Sequence, residues 1–145
     1  MKMKSIVLSL LLVTGSCFAE NYGDINNVKV DSVYDGDTFT ITIPKWPKLA
    51  GEKIGIRVLG VDTPEMHGAC PEEIALAHKA KEFTVAFLNS GPITLKNTGR
   101  DKYFRIDADV YVNGKSLSQE LIVAKLGYSY DGGTKSKWCP VKSLS

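Results

Sequence analysis

The feature that constrains the fold most is an apolar strand that ends in a rigid polar corner. Residues 54–61 predict a buried strand, and Asp62-Thr63-Pro64-Glu65 follows it directly. Pro64 fixes its own φ angle and restricts Thr63 to extended conformations, so the corner is stiff. Carboxylates at fixed positions suit a site that holds a cation or a water, although a solvated turn explains the same residues. The rest of the chain decides between these readings.

Four further segments have the apolar pattern of strands. Residues 28–34 and 38–43 alternate apolar and polar side chains on either side of Asp35-Gly36, which is typical of two strands joined by a tight turn. Two more strands are predicted at residues 93–96 and 104–112. With the strand that ends at the corner, the chain has five strands, which is enough for a small barrel.

Two helices complete the predicted domain. Pro71 suits the first position of a helix, and apolar residues at helical spacing continue it to about residue 89. Ser116 and Gln119 resemble a capping box, and the helix that follows is expected to end at Gly127. This order predicts an α+β, mainly β fold. It is a five-stranded OB-type barrel with one helix inserted after strand 3 and a second after strand 5.

The first 19 residues are predicted to be an export signal. A positively charged start precedes a short apolar core at residues 6–13, and Cys17-Phe18-Ala19 offers small residues at both specificity positions of a cleavage site. The mature chain is therefore expected to form one domain over residues 20–145 and to be periplasmic or secreted, with no membrane contact after cleavage. A lipoprotein acylated at Cys17 is the alternative.

Removal of the signal changes the charge and the cysteine count. The full chain has 18 Lys and Arg against 16 Asp and Glu, and the signal takes Lys2 and Lys4, so the mature chain is near neutral. Any nucleic-acid binding must then come from a local basic cluster. Cys70 and Cys139 remain, and an even pair in an exported chain predicts a disulfide, with two free thiols as the alternative.

Polar side chains at the strand ends form a candidate catalytic set. Phosphodiester cleavage requires carboxylates that hold a hard cation through oxygen, and a carboxylate that orients and deprotonates a water. It also requires arginines that neutralise the charge developing on the phosphate. The residues that supply these groups are Asp35, Asp37, Arg57, Asp62, Glu65 and Arg105.

The sequence resembles the staphylococcal nuclease, or thermonuclease, family over nearly all of the mature chain. The motifs that carry the resemblance are Asp35-Gly36-Asp37-Thr38, residues 57–65, Lys102-Tyr103-Phe104-Arg105 followed by residues 108–112, and residues 119–130. The resemblance implies a calcium-dependent endonuclease on an OB barrel that hydrolyses DNA and RNA. It further implies preference for single-stranded or frayed substrates, a monomer, and no stable protein partner.

The resemblance also implies the roles of individual residues. Glu65 would be the general base, and Arg57 and Arg105 would bind the scissile phosphate. The calcium ligands would be Asp37, Asp62 and the carbonyl of Thr63, with Asp35 behind them. The remaining substrate contacts would be Lys102, Tyr103, Tyr128 and Tyr130.

Three features depart from the family pattern. Phe104 stands where the family usually has glycine, so the turn before Arg105 is expected to differ. Asp107 stands where an apolar residue is usual, and it would need a partner if buried. A Cys70–Cys139 bridge would pin the tail to the start of the first helix in place of a long C-terminal helix.

Other polar and aromatic residues have ordinary explanations. These residues, expected in loops or on the solvated surface, are Trp46, His67, His78, Lys135, Lys137 and Trp138, although the lysines could bind phosphate and the tryptophans could stack on bases. The alternative function is a non-catalytic OB module that binds nucleic acid or protein. A structural or inhibitory envelope protein is a third possibility. The complete set of carboxylates and arginines favours the enzyme.

Overall fold

The computed structural model describes residues 22–140, so the predicted signal at residues 1–19 lies outside the described residues. Within that part of the chain, the helices and strands are β1 (Ile25–Asn26), β2 (Lys29–Val33), β3 (Thr38–Thr42), α1 (Lys48–Gly51), β4 (Ile54–Val58), β5 (Val61–Asp62), α2 (Pro71–Leu88), β6 (Ile93–Arg100), β7 (Ile106–Val112), β8 (Lys115–Ser116), α3 (Leu117–Val123) and β9 (Tyr128–Ser129). None of the described helices is long and apolar enough to cross a membrane.

One curled sheet carries the fold. Its strands lie in the order β1-β6-β7-β4-β3-β2, with β8 paired to β7, and β5 and β9 form a separate two-stranded ribbon. All pairs are antiparallel except β4 with β7, where Arg57 lies opposite Asp107 in a parallel register. The longer helices α2 and α3 follow the third and fifth main strands. The predicted mainly β, OB-type architecture is therefore confirmed.

The core lies between the concave face of the sheet and the two longer helices. Strand β7 alternates between buried and partly exposed residues. The buried residues, which face the core, are Ile106, Ala108, Val110 and Val112. The helices contribute apolar side chains to the same cluster. The helical members are Ala80 and Leu88 from α2 and Leu117 and Leu121 from α3.

The corner strand is shorter than predicted. Strand β4 ends at Val58, whereas the apolar pattern predicted a strand over residues 54–61. Gly60 takes a positive φ of 79°, which a residue without Cβ adopts readily, and this bends the chain. Val61 and Asp62 then pair with β9 instead of continuing along the sheet. The bend places the acidic corner against the C-terminal tail.

Two other strand boundaries also differ from the prediction. Strand β6 extends to Arg100, past the predicted end at residue 96, with an irregular register between Lys96 and Gly99. Strand β7 begins at Ile106 because Phe104 has a φ of 64° and cannot belong to a strand. The segment between the two strands is therefore a turn that projects from the sheet.

The second long helix begins and ends differently from the prediction. No side-chain cap forms at its start, where the Ser116 hydroxyl lies 2.9 Å from that of Ser118. The helix ends at Val123, and the residue beyond it with a positive φ is Lys125, at 59°. Gly127, which the sequence predicted would end the helix, does not have a positive φ. Gly127 is buried, and a Cβ there would overlap the side chain of Val61. Gly127 therefore allows the tail to approach the corner.

The predicted pair of cysteines forms a disulfide. Cys70 and Cys139 are joined by an S–S bond of 2.12 Å, with their Cα atoms 5.9 Å apart. Cys70 is the residue that precedes the first turn of α2, so the bond attaches the tail to the start of that helix. Glu73 lies beside the two sulfur atoms, but a bonded sulfur is not available as a thiolate ligand.

Candidate active site

An open cleft of about 1000 Å³ gathers most of the predicted site. The predicted residues that line it are Asp35, Asp37, Arg57, Glu65, Lys102, Tyr103, Arg105 and Tyr130. Asp62 and Thr63 are buried, each with 2% of its surface exposed. Tyr128 does not line the cleft and packs against Trp138, with ring centroids 4.3 Å apart.

The turn between β2 and β3 presents two buried carboxylates. Asp35 Oδ1 accepts the main-chain N–H of Asp37 at 3.1 Å, which fixes the turn. Asp37 Oδ2 accepts the main-chain N–H of Thr63 at 2.9 Å and forms an ion pair with a terminal guanidinium nitrogen of Arg57 at 2.9 Å. Asp37 therefore connects the turn directly to the corner and to β4.

Gly36, between these two carboxylates, is clamped beneath α2. Its carbonyl accepts the hydroxyl proton of the buried Thr84 at 2.7 Å. A Cβ at Gly36 would lie 2.8 Å from both Ala80 Cβ and Thr63 Cγ2. Glycine is required here because helix and corner both approach the main chain more closely than any side chain permits.

Burial raises the pKa of Asp35 to about 7, and the negative charges of Asp37 and Glu65 act in the same direction. The main-chain N–H that Asp35 accepts opposes this rise only in part. The turn therefore concentrates more negative charge than the metal-free protein accommodates easily. A cation close to these carboxylates would relieve that repulsion.

Arg57 is fixed in the wall of the cleft. One terminal nitrogen contacts Asp37 and donates to the Val58 carbonyl at 3.1 Å, and the other donates to the Val61 carbonyl at 3.1 Å. The second nitrogen also lies 4.0 Å from Asp62 Oδ1. Because main-chain carbonyls hold both ends of the guanidinium, its position needs little reorganisation when an anion enters the cleft.

Arg105 is oriented by the turn that precedes it. Its Nε and one terminal nitrogen contact Asp101 Oδ2 at 2.8 and 2.6 Å. Asp101 Oδ1 accepts the main-chain N–H groups of Tyr103 and Arg105. Burial alone would raise the pKa of Asp101, but these hydrogen bonds and the charge of Arg105 hold it below its ordinary value. Asp101 stays charged and directs Arg105 into the cleft.

The ammonium group of Lys135 lies in the acidic corner, whereas the sequence predicted a solvated surface residue. Lys135 Nζ lies 2.6 Å from Glu65 Oε1 and 3.0 Å from Asp62 Oδ1. Burial would lower the pKa of Lys135, but the hydrogen bond to Glu65 and the charges of both carboxylates raise it above its usual range. The only sequence signal for this contact was the cysteine pair that returns the tail to the corner.

Glu73 is a second residue of the corner whose role the sequence did not reveal. Its carboxylate accepts the main-chain N–H groups of Glu65 at 3.3 Å and Ala69 at 2.8 Å. The sequence indicated only an acidic residue in the first turn of α2. In the structure, Glu73 holds the loop that carries Glu65 and so positions the candidate base.

The corner suits a hard divalent cation. Asp62 Oδ1 is buried, and its closest ion pair within the described residues is with Lys135 Nζ at 3.0 Å, which an entering cation would replace. The Thr63 hydroxyl oxygen is likewise buried without a hydrogen bond to any residue in the described range. Oxygen donors and concentrated negative charge are what Ca²⁺ and Mg²⁺ select. The residues present therefore fit such an ion.

Other residues named from the sequence have varied positions. Asp107 lines the cleft, and its buried Oδ1 has no hydrogen-bond partner among residues 22–140. His67 and Lys137 are exposed and do not line the cleft. Trp138 packs on Tyr128, as expected of a loop residue.

Comparison with known proteins agrees with this geometry. The sequence profile described as "Staphylococcal nuclease homologue" matches residues 55–135, which is more than half of the chain. The chain belongs to the staphylococcal nuclease family. The match spans the strand with Arg57, the acidic corner, the turn with Arg105 and the tail as far as Lys135.

Curated members of the staphylococcal nuclease family are similar over most of this chain. Endonuclease YncB of Bacillus subtilis (strain 168) is 33% identical over 129 residues, which cover 83% of this chain and 57% of the relative. The SPbeta prophage-derived endonuclease YokF of the same organism is 32% identical over 120 residues, covering 77% and 38%. Probable endonuclease LCL3 of Podospora anserina is 30% identical over 132 residues, covering 76% and 48%. The chain spans about half the length of these relatives.

Proposed function

We propose that this chain is an exported, calcium-dependent endonuclease that hydrolyses phosphodiester bonds of DNA and RNA. The observation that carries the proposal is the convergence of buried carboxylates and two fixed arginines in one open cleft. The similarity to proteins named as endonucleases supports it. We further propose single-stranded or frayed substrates and a monomeric enzyme; the open cleft of about 1000 Å³ supports the substrate part of this proposal.

In this mechanism Asp37, Asp62 and the carbonyl of Thr63 would hold calcium, which supplies positive charge beside the scissile phosphate. Asp35 supports them by fixing the main chain of Asp37. Arg57 and Arg105 bind the phosphate oxygens and neutralise the charge that develops as water attacks phosphorus. Neither arginine needs to be reordered for this role, because each is already held by hydrogen bonds within the protein.

Glu65 acts as the general base in the same mechanism. Its side chain is about half exposed at 49%, and it can turn toward a water once Lys135 moves away. The Glu65 carboxylate takes a proton from the water, the new oxygen–phosphorus bond forms, and the bond to the leaving oxygen breaks. In the same proposal Lys102 and Tyr103, which line the cleft, contact a neighbouring phosphate, and Tyr130, which also lines the cleft, contacts the nucleotide.

The test is turnover of single-stranded DNA and of RNA by the wild-type protein, with calcium or with chelator. Glu65→Gln should lower turnover by about 10²–10⁴-fold because the general base is lost. Asp37→Ala should abolish calcium binding in calorimetry. Glu82→Gln, an exposed carboxylate on α2, is the matched control and should behave as wild type.

Three results would each remove part of the proposal. Wild-type turnover by Glu65→Gln would rule out this mechanism. Activity with another divalent cation but not with calcium would remove only the calcium assignment. A wild-type protein that binds single-stranded DNA without cutting it would instead indicate a binding module.

Export is supported by the Cys70–Cys139 disulfide, since such bonds persist in oxidising compartments. Mass spectrometry of the protein from fractionated cells should find a chain that starts at Glu20 in the periplasm or medium. A full-length chain in the cytoplasm with two alkylatable thiols would contradict this part of the proposal.

A further inference from the structure

Phe104 has both an unfavourable backbone conformation and an unfavourable exposure to water. Its φ angle of 64° is in the left-handed region, where a bulky side chain is strained. Its side chain is also among the most exposed large apolar groups of the described residues, with 80% of the residue surface in water. Neither the strain nor the exposure stabilises the fold, and backbone strain of this kind is often found at functional sites.

The turn that carries Phe104 is rigid. The main-chain N–H of Asp101 donates to the Arg105 carbonyl at 3.0 Å, and the N–H of Phe104 donates to the Asp101 carbonyl at 3.3 Å. The Asp101 carboxylate binds the N–H groups of Tyr103 and Arg105 within the same turn. The Phe104 ring is therefore presented at a fixed place, one residue before the phosphate-binding arginine.

The ring is paired with a guanidinium. Arg100 Cζ lies 4.1 Å from the centroid of Phe104, which is the distance of a stacked cation–π pair. With most of Phe104 exposed, the rest of the ring surface remains accessible. The pair forms a positively charged aromatic surface, which we call the Phe104–Arg100 platform.

The residues next to Phe104 in the chain line two different cavities. Residues 101–103 and Arg105 line the catalytic cleft, whereas Arg100 and Ile106 line a second pocket of about 260 Å³. The second pocket also contains Trp46, whose side chain is partly exposed. A nucleic-acid strand that leaves the cleft across this turn would meet the platform and then the second pocket.

We propose that the Phe104–Arg100 platform is a base-stacking subsite for an unpaired nucleotide beyond the scissile phosphate, which rests on the proposed nuclease function. Unpaired bases stack on aromatic rings and on arginine planes, and such stacking tolerates any base. Arg100, Lys102 and Arg105 supply matching positive charge along the path. Because a paired base cannot offer its face, the subsite favours single strands.

The test compares labelled oligothymidylates of two and six nucleotides by fluorescence anisotropy in calcium. The binding protein carries Glu65→Gln so that the strand stays intact. Adding Phe104→Gly should weaken binding of the six-mer by roughly 5- to 150-fold and change binding of the two-mer little. Phe104→Leu removes the ring face and should behave like glycine, whereas Phe104→Tyr should keep the affinity.

Two readouts separate stacking from a general loss of structure. Phe104→Gly should melt at the same temperature as its parent or higher, because glycine relieves the positive φ angle. Val123→Ala, at an equally exposed apolar residue on α3, should leave six-mer binding unchanged. Equal six-mer affinity for Phe104→Gly and its parent would overturn the subsite, and so would no six-mer binding by the parent. Turnover by the wild-type protein tests the nuclease function separately.

Discussion

Replacing Asp35 with asparagine should stabilise the metal-free protein at neutral and alkaline pH. Asp35 is 5% exposed, and its burial together with the charges of Asp37 and Glu65 raises its pKa from 3.8 to about 7. In the folded protein the side chain therefore holds its proton at pH values where the unfolded chain has lost it. Stability from this group is fully present below pH 4 and is lost as the pH rises through 7.

The magnitude follows from the two pKa values. Each pKa unit corresponds to about 1.4 kcal/mol, so the difference between 3.8 and about 7 corresponds to about 4 kcal/mol. Asparagine has the same shape and stays neutral, and its Oδ1 can still accept the N–H of Asp37. Asp35→Asn should therefore match wild type near pH 4 and exceed it by up to about 4 kcal/mol at pH 8.

The assay is urea denaturation in chelator, followed by the fluorescence of Trp46 and Trp138 at several pH values. The difference between variant and wild type at each pH isolates Asp35 from the other titrating groups. In saturating calcium the difference should shrink, because a cation offsets the repulsion among the carboxylates. A variant no more stable than wild type at pH 8 in chelator would refute the reasoning.

Three further predictions concern the corner and the tail. Lys135→Ala should raise calcium affinity by roughly two- to tenfold in calorimetry, because the lysine pairs with two carboxylates of the corner. Lys137→Ala is the control, and a Lys135→Ala protein with wild-type calcium affinity would contradict the prediction. The Cys70–Cys139 bond joins residues 69 positions apart, so its reduction should lower the free energy of unfolding by about 4 kcal/mol in urea titrations. An unchanged urea midpoint after reduction would contradict this. Gly36→Ala should cost about 1–3 kcal/mol through overpacking and weaken calcium binding, whereas full affinity would show that the turn tolerates a Cβ.

The sequence could predict the sheet because its strands are half buried. In strand β3 the alternation of side chains follows directly from one face that packs and one that does not, whereas β2 has no fully buried residue and shifts register between Val30 and Ser32. Alternation of side chains could not predict the break between β4 and β5, because residues on both sides of the break are buried and the apolar run continues across it. Gly60 was the one local signal of that bend.

The sequence indicated that the carboxylates and arginines of the candidate site lie together, and it did not indicate the contacts made by the C-terminal tail. The carboxylates and arginines belong to strand ends and to the rigid corner, so their spacing along the chain already indicates a common location. The contact of Lys135 with Glu65 depends on the path of an irregular tail, which has no periodicity. The left-handed conformation of Phe104 fits the hydrogen bonds of its turn; phenylalanine itself does not indicate it, and the one signal was that the family usually has glycine at this position.

The parallel pairing of β4 with β7 has a consequence for when the cleft can first form. Arg57 lies opposite Asp107, about 50 residues later in the chain, so the two arginines of the cleft meet only after α2 and β6 have been made. A chain that is still being synthesised therefore carries the residues of the first half of the candidate site before the cleft itself can form. The order of the strands makes the cleft depend on nearly the whole domain, so a truncation anywhere before β7 removes it completely.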